Sequence, residues 1–363
     1  MIYECRDKPE IRVEEKVAVV LLSYNSRSYL ERFLPFVLKT AYRDYRLIVV
    51  DNASTDDTQD FLREHYPEID VLHIDVNRGF TNGFVESLPC IDAEYYALLT
   101  SDVEVPEDWL GPLVEAMEED PALGACQPKI LAYRGRDRFE YAGACGGLID
   151  AFGYTFCRGR IFDTVEKDSG QYDRPADIFW ASGAVFLLRA DAYHGTGGFD
   201  NDFFAHMEEI DLCWRLQRAG YGIRVIPRSR VYHVGGSVIL YGSTEKVYHN
   251  YRNNLIMLTK NLPAGRLWWM LPWRMLLDLV SGLQLLLKGQ VEACAAVLRA
   301  HRHFLRSLGK HCRKRRHFWE DVPYRELKGI YPKSIVWQFF VRGRKKYSGL
   351  PGIGSKRNKE ESI

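Results

Sequence analysis

Four short apolar runs recur through the first hundred residues, at 17–22, 47–50, 71–74 and 95–99. Between the first two, Leu30, Phe33, Leu34, Val37 and Leu38 fall at helical spacing, with Ser28 and Glu31 placed as a capping pair and Pro35 as a kink. Residues 55–66 supply the next helix. Strand, helix, strand in repetition predicts an α/β fold with a mostly parallel sheet covered on both faces, because parallel neighbours need a crossover long enough to hold a helix. Ligands of such sheets sit beyond the carboxyl ends of the strands. The polar residues that close each run are therefore the ones to examine: Ser23-Tyr24-Asn25, Asp51-Asn52-Ala53-Ser54, Asn77-Arg78-Gly79-Phe80 and Ser101-Asp102-Val103-Glu104.

Two carboxylate clusters stand on this scaffold. Asp102 and Glu104 follow the fourth run; Glu208, Glu209 and Asp211 follow the glycine-rich turn at Gly197 and open a helix that Gly220 stops. Acids at a helix start meet the positive end of the dipole, which alone accounts for their presence. A metal site and a base on one scaffold would suit them equally. A strand at 223–226 leads on to His233-Val234-Gly235-Gly236, and residues 134–175 read as a β-rich or loop-rich insert.

Composition removes several classes. Lys+Arg 49 against Asp+Glu 48 leaves a charge of +1, so nothing global points to nucleic acid as a partner. The eight cysteines form no Cys-x-x-Cys pair and no zinc spacing with histidines, which favours reduced thiols in a cytosolic compartment. Residues 1–16 are polar and charged, an extension without the apolar stretch of a signal peptide.

The ordered set Ser-Tyr-Asn, Asp-Asn-x-Ser-x-Asp, Asn-x-Gly-Phe, Asp-x-Glu, Trp-x-Ser-Gly-Ala, Gly-Gly-Phe-Asp, Glu-Glu-x-Asp-Leu-Cys-Trp-Arg and His-x-Gly-Gly resembles the family 2 glycosyltransferases. More narrowly, it is similar to the rhamnosyltransferase-like branch that builds bacterial surface polysaccharides. The resemblance implies a GT-A, Rossmann-like fold, a nucleotide-sugar donor, Mg2+ or Mn2+, and inversion at the anomeric carbon. It implies that Asp51 accepts a hydrogen bond from the pyrimidine, and that Asn77, Gly79 and Phe80 line the nucleoside pocket. Ser23, Asn25, Asn52 and Ser101 join them at the same sheet edge as donor-site residues. Asp102, with Glu104 and His233, matches the metal or phosphate site, although the branch has Asn-Pro-Asp where this chain has Thr100-Ser101-Asp102. Trp180, Ser182, Gly183 and Glu208 match the acceptor side. Glu209 takes the place of the general base, where the branch usually has Asp, with Asp211 in reserve.

From 263 to 363 the character changes, so the chain divides into an extension (1–16), a glycosyltransferase domain (17–262) and a C-terminal helical, basic region. Trp268, Trp269, Met270, Leu271, Trp273, Met275, Leu276, Leu277, Leu279 and Val280 are interrupted by Pro272, Arg274 and Asp278, and those charges argue against a spanning helix. Residues 293–319 then carry Arg299, Arg302, Arg306, Lys310, Arg313, Lys314, Arg315 and Arg316 without one acid. Such a segment is expected to lie in an anionic membrane surface on the cytoplasmic side; an interface in a homo-oligomer is the other use of the same apolar face. The expected activity is transfer of a sugar, with rhamnose on thymidine diphosphate as the branch's suggestion, to a glycan or lipid-linked glycan. A sugar-phosphate nucleotidyltransferase and a silent glycan-binding subunit are the alternatives.

Overall fold

The computed structural model describes residues 2–4, 11–235, 243–315 and 322–353; Gly236 and Arg316, singled out above, lie outside the described residues. Among the described residues the main sheet has 11 strands. We label β1 (Ile2–Glu4), β2 (Val17–Ser23), β3 (Tyr45–Asn52), β4 (Asp70–Ile74), β5 (Tyr95–Thr100), β6 (Val103–Glu104), β7 (Leu123–Ala132), β8 (Val185–Arg189) and β9 (Gly222–His233). The sheet runs β1-β4-β3-β2-β5-β8-β7-β9, with Ala176–Asp177 beyond β9 and β6 paired to β9 off this path. Contacts from β1 to β5 are parallel, whereas β8 is antiparallel to both neighbours. All seven residues of β2 are buried, as expected for a central strand covered on two sides.

The expected strand runs agree with β2 to β5 to within two residues at each end. Helices α1 (Arg27–Leu38), α2 (Thr58–His65) and α4 (Gly111–Glu119) cover one face, where Leu30, Leu34, Val37, Leu62, Leu113 and Met117 pack on Val19, Leu21, Val49 and Leu99. On the other face lie α3 (Phe80–Ser87), α5 (Ala190–Gly195) and α6 (Glu208–Arg218). The first helix begins one residue before Ser28, with Ser26 at its N-cap, and it continues through Pro35. The chain moves from β2 to β3 and β4 on one side and returns to β5 on the other. This reversal beside β2 opens the cleft in which the loops after the strands meet.

Two segments expected to stand apart are tied into this body. In the first sixteen residues β1 pairs with β4, and Ile11–Arg12 pairs with Ile91–Asp92. The 134–175 insert is a hairpin arm, Gly135–Phe139, and a small sheet of Thr164–Val165, Arg160–Ile161, Thr155–Cys157 and Gly147–Asp150. That sheet is completed by Ile330–Tyr331, in parallel with Gly147–Asp150.

After the sheet come α7 (Thr244–Asn261), α8 (Ala264–Leu287) and α9 (Val291–Arg315). The buried residues of α8 are Met270, Arg274, Asp278 and Gly282, spaced by four so that they form one stripe. Arg274 Nε donates to Asp278 Oδ1 at 2.8 Å, Arg274 Nη1 donates to the Gly153 carbonyl at 3.2 Å, and its guanidinium lies 3.8 Å from the Tyr154 ring centre. His301 of α9 stands 3.4 Å from the other Asp278 oxygen. The outer face is apolar, with Trp268 83% exposed and Trp269, Trp273, Leu276, Val280 and Leu283 also open. By length and composition α8 is the one described helix able to cross a membrane. The two charges expected to argue against a spanning helix are on the inner seam, paired with each other.

Candidate active site

The loops after β2 and β3 are fastened to each other by Asn25. Its backbone occupies the left-handed region, φ 48°, which Asn tolerates better than most residues. Its Oδ1 accepts from the Thr55 amide at 2.7 Å, and its own amide donates to Ser54 Oγ at 2.9 Å. Asn25 thus shapes the rim, while Ser23 is buried beneath it.

Alternation along β3 sends Asp51 and Asn52 to opposite faces. Asp51, fully buried on the α2 side, accepts from Gln59 Nε2 at 2.6 Å and lies 2.9 Å from His73 Nδ1. Asn52 faces the other way and lines a cavity of about 200 Å³ with Asn77, Gly79, Phe80, Ser101 and Phe204. Asn52 Nδ2 donates to the Gly79 carbonyl at 3.2 Å, and Asn77 Oδ1 accepts from the Gly79 amide at 2.8 Å. Gly79 has φ +105°, and a Cβ there would stand 2.5 Å from both the Phe204 ring and its carbonyl oxygen. Only glycine lets this loop lie against the acidic loop before α6.

Asp102 is buried just past β5. Its Oδ1 accepts from Thr100 Oγ1 at 2.8 Å, and its Oδ2 lies 3.1 Å from His233 Nε2. Glu140, in the 134–175 insert where no local pattern marks it, stands 3.5 Å from the other nitrogen of His233. Burial alone would lower the His233 imidazole, but the two carboxylates outweigh it and hold it well above its ordinary value. Glu104 is drawn aside: it pairs with Arg136 at 2.8 Å, and that guanidinium stacks 4.3 Å from the ring of Tyr232, the cross-strand neighbour of Glu104. Among the described residues no group of three or more His, Cys, Asp or Glu could hold a metal ion. This set still fits Mg2+ or Mn2+ carried by a diphosphate, since such ions are commonly bound through one or two carboxylates, substrate phosphates and water. Asp102 is the carboxylate in place for that.

The acidic helix divides its residues between two tasks. Asp211 is fully buried: one oxygen accepts from Arg215 Nε at 2.9 Å and Lys260 Nζ at 2.8 Å, the other from Asn261 Nδ2 at 2.8 Å. Lys260 also reaches Asp200 at 2.7 Å, and Arg215 donates to the Thr196 and Gly198 carbonyls, so the network locks the glycine-rich turn against α6 and α7. Both Asp211 oxygens are engaged in that lock. Glu208 and Glu209, in contrast, each keep a buried Oε2 with no hydrogen-bond partner among the described residues. Burial pushes both carboxyls up, Glu209 to about 7, and at Glu208 the charge of Glu209 adds to the rise.

Gly183 stands where these parts meet. A Cβ on it would lie 3.7 Å from Phe80, 3.8 Å from Glu208 Oε1 and 3.9 Å from Glu209 Cβ. The rest of this segment is packed. Ser182 Oγ donates to the Ala142 carbonyl at 2.6 Å, and the Ser182 amide donates to Gln127 Oε1 at 2.9 Å. Trp180 is 4% exposed, lies over Gly147 and donates from Nε1 to the Leu148 carbonyl at 3.0 Å. Its ring has no face open to a sugar.

Comparison with known proteins agrees with this geometry. Residues 18–175 match the family model Glycosyl transferase family 2, and residues 97–298, more than half of the chain, match Glycosyl transferase family group 2. The chain is 26% identical over 275 residues to an N-acetylglucosaminyl-diphospho-decaprenol L-rhamnosyltransferase of Mycobacterium tuberculosis, covering 70% of this chain and 87% of the relative. Among solved structures it is similar to Staphylococcus aureus TarS in complex with UDP-GlcNAc (TM-score 0.53, 14% identity, 80% of this chain and 81% of that one). It is also similar to a mannosyltransferase of Pyrobaculum calidifontis with GDP-Man and Mn2+ (TM-score 0.50, 16% identity, 85% and 86%). The parallel sheet with its switch point beside β2, the loops closing on Gly183 and the family match over more than half of the chain lead to one assignment: the chain belongs to glycosyltransferase family 2 and has the GT-A fold.

Proposed function

We propose that this protein is an inverting glycosyltransferase that moves one sugar from a nucleoside diphosphate to a hydroxyl of a glycan or lipid-linked glycan in cell-wall polysaccharide synthesis. The observation that carries the reading is the meeting at Gly183 of the donor-side residue Phe80 with Glu208 and Glu209, each of which keeps one buried carboxyl oxygen without a hydrogen-bond partner among the described residues. The nucleoside occupies the cavity of Asn52, Asn77, Gly79, Phe80 and Ser101, while Asp51 supports that wall from behind through Gln59 and His73.

The reaction is a single displacement. The acceptor hydroxyl oxygen forms a bond to the anomeric carbon, its proton passes to Glu209, and the bond from that carbon to the diphosphate oxygen breaks so that the electron pair leaves with the nucleoside diphosphate. Glu209, which burial raises to about 7, serves as the base, and Glu208, whose carboxyl burial also pushes up, stands beside it on the acceptor side. His233, 3.1 Å from Asp102 and 3.5 Å from Glu140, stands on the phosphate side of the cleft. A divalent ion at Asp102, when bound, offsets charge on the leaving diphosphate.

The donor we favour is thymidine diphosphate rhamnose, from the branch and from the named activity of the mycobacterial relative. The acceptor is then lipid-linked, and the exposed apolar face of α8 holds the enzyme on the inner surface of the cell membrane. A thermal-shift panel of thymidine, uridine and guanosine diphosphates with Mn2+, repeated with chelator, tests the donor site. Stabilisation by a pyrimidine diphosphate that chelator removes supports it; equal stabilisation by guanosine diphosphate contradicts it. Neither donor hydrolysis nor transfer would leave a silent glycan-binding subunit.

A further inference from the structure

Glu208 and Glu209 are delivered to the cleft by an unusual turn. His206 and Met207, two successive non-glycine residues, have φ of 71° and 72°, in the left-handed region that L side chains rarely adopt. Such a pair persists only where its surroundings over-determine it, and these outliers gather where function needs them. What holds the turn comes from α7. Asn253, fully buried, donates from its carboxamide to the Ala205 carbonyl and to the His206 carbonyl, both at 2.9 Å. Its own oxygen accepts from Arg252 Nη1 at 2.9 Å, and Arg252 Nη2 donates to the Asp202 carbonyl at 3.1 Å. Both amide hydrogens and the oxygen of Asn253 are thus used, so the group has one orientation. The carbonyl of Met207, the next residue, accepts from the Asp211 amide at 2.9 Å and begins the helix that carries the two glutamates.

We propose that Asn253 is a positioning residue for glycosyl transfer: by fixing the carbonyls of Ala205 and His206 it holds the left-handed turn that aims Glu209 at the acceptor hydroxyl. The proposal rests on the reading of Glu209 as base. Asn253 touches neither donor nor acceptor and acts through the backbone alone. A displacement of about 1 Å in a reacting group can cost roughly 10²-fold in rate.

The test is a double-mutant cycle with Asn253→Leu and Glu209→Gln, following turnover, donor KM and melting temperature. Asn253→Leu is expected to lower kcat roughly 10²-fold with donor KM nearly unchanged, and to cause no further loss of that size in the Glu209→Gln background, because the two share one function. Arg252→Lys, which loosens the amide without emptying the buried site, is expected to give a smaller kcat loss, about tenfold, at an unchanged melting temperature. It carries the test if Asn253→Leu does not fold. Normal kcat in Asn253→Leu, or in a folded Arg252→Lys, overturns the proposal, as does the same loss in both Glu209 backgrounds. Normal transfer by Glu209→Gln alone instead removes the reading of the base and is separately visible.

Discussion

The GT-A body and the α8–α9 pair bury opposite chemistry. In the body, β2 is apolar at nearly every position and fully buried, and the polar residues gather at strand ends where the cleft opens. In α8 the buried stripe contains Arg274 and Asp278, and the tryptophans and leucines face outward. A helix in water gains by hiding its apolar stripe, at about 25 cal/mol for each Å² removed. An inside-out helix therefore implies that its outer face meets something other than water. Both regions do share one device, a buried ion pair made tolerable by several hydrogen bonds: Asp211 with Arg215 and Lys260 in the body, Asp278 with Arg274 in the appendage.

The largest effect expected from this contrast is on membrane binding. Changing Trp268, Trp269 and Trp273 together to Ala should weaken binding to anionic vesicles by roughly 10³-fold while leaving the body folded, because each ring contributes on the order of 1–3 kcal/mol when it enters the interface. Vesicle flotation at low and high salt measures this. Unchanged flotation together with a dimer-to-monomer shift would assign the face to a second copy of the chain.

Next is Asp211→Asn. Neutralising Asp211 leaves Lys260 and Arg215 short of a buried partner, which should cost on the order of 3 kcal/mol. Denaturant unfolding reads it. Asp278→Asn tests the same device in α8, and a much smaller loss there would show that the appendage seam is not a comparable lock.

Smaller differences are expected within the cleft. Glu104 pairs with the half-exposed Arg136, so Glu104→Gln should change transfer by less than about fivefold, while Asp102→Asn should sharply weaken metal-dependent binding of the nucleoside diphosphate. The pH profile follows from Glu209. Its ionised form is the base, so kcat should rise with pH through about 7. Stability should move the other way: a carboxyl raised in the folded state keeps a proton that the unfolded chain releases, so stability contributed at low pH declines from the ordinary glutamate range up to about 7. Glu209→Gln should flatten that decline, seen as urea midpoints at pH 5 and pH 8.

The sequence was most readable where the physics is local. Strand runs, the Asp-x-Glu turn and the acidic helix follow from patterns a few residues long, and strands β2 to β5 lie where their apolar runs predicted. Side-chain direction was harder. Asp51 and Asn52 are adjacent in the chain, yet only the pleat decides that Asn52 lines the cavity. The bond from Lys260 to Asp211 spans 49 residues, and nothing local in either segment announces it. Asn253 was missed for the same reason. In α8 the fourfold spacing of Met270, Arg274, Asp278 and Gly282 was present in the sequence, but Arg274 and Asp278 read as interruptions of an apolar stretch rather than as a buried seam.

Glu209 and Asp211 test the account most directly, because they lie two residues apart on α6 and are assigned different tasks. Transfer and melting temperature should be measured side by side for Glu209→Gln and Asp211→Asn. The account predicts that Glu209→Gln lowers transfer by roughly 10²- to 10⁴-fold with the nucleotide-dependent thermal shift retained, and that Asp211→Asn lowers the melting temperature while the remaining folded enzyme turns over at near the parent rate. Normal transfer by Glu209→Gln, with transfer abolished in a stably folded Asp211→Asn, would contradict it.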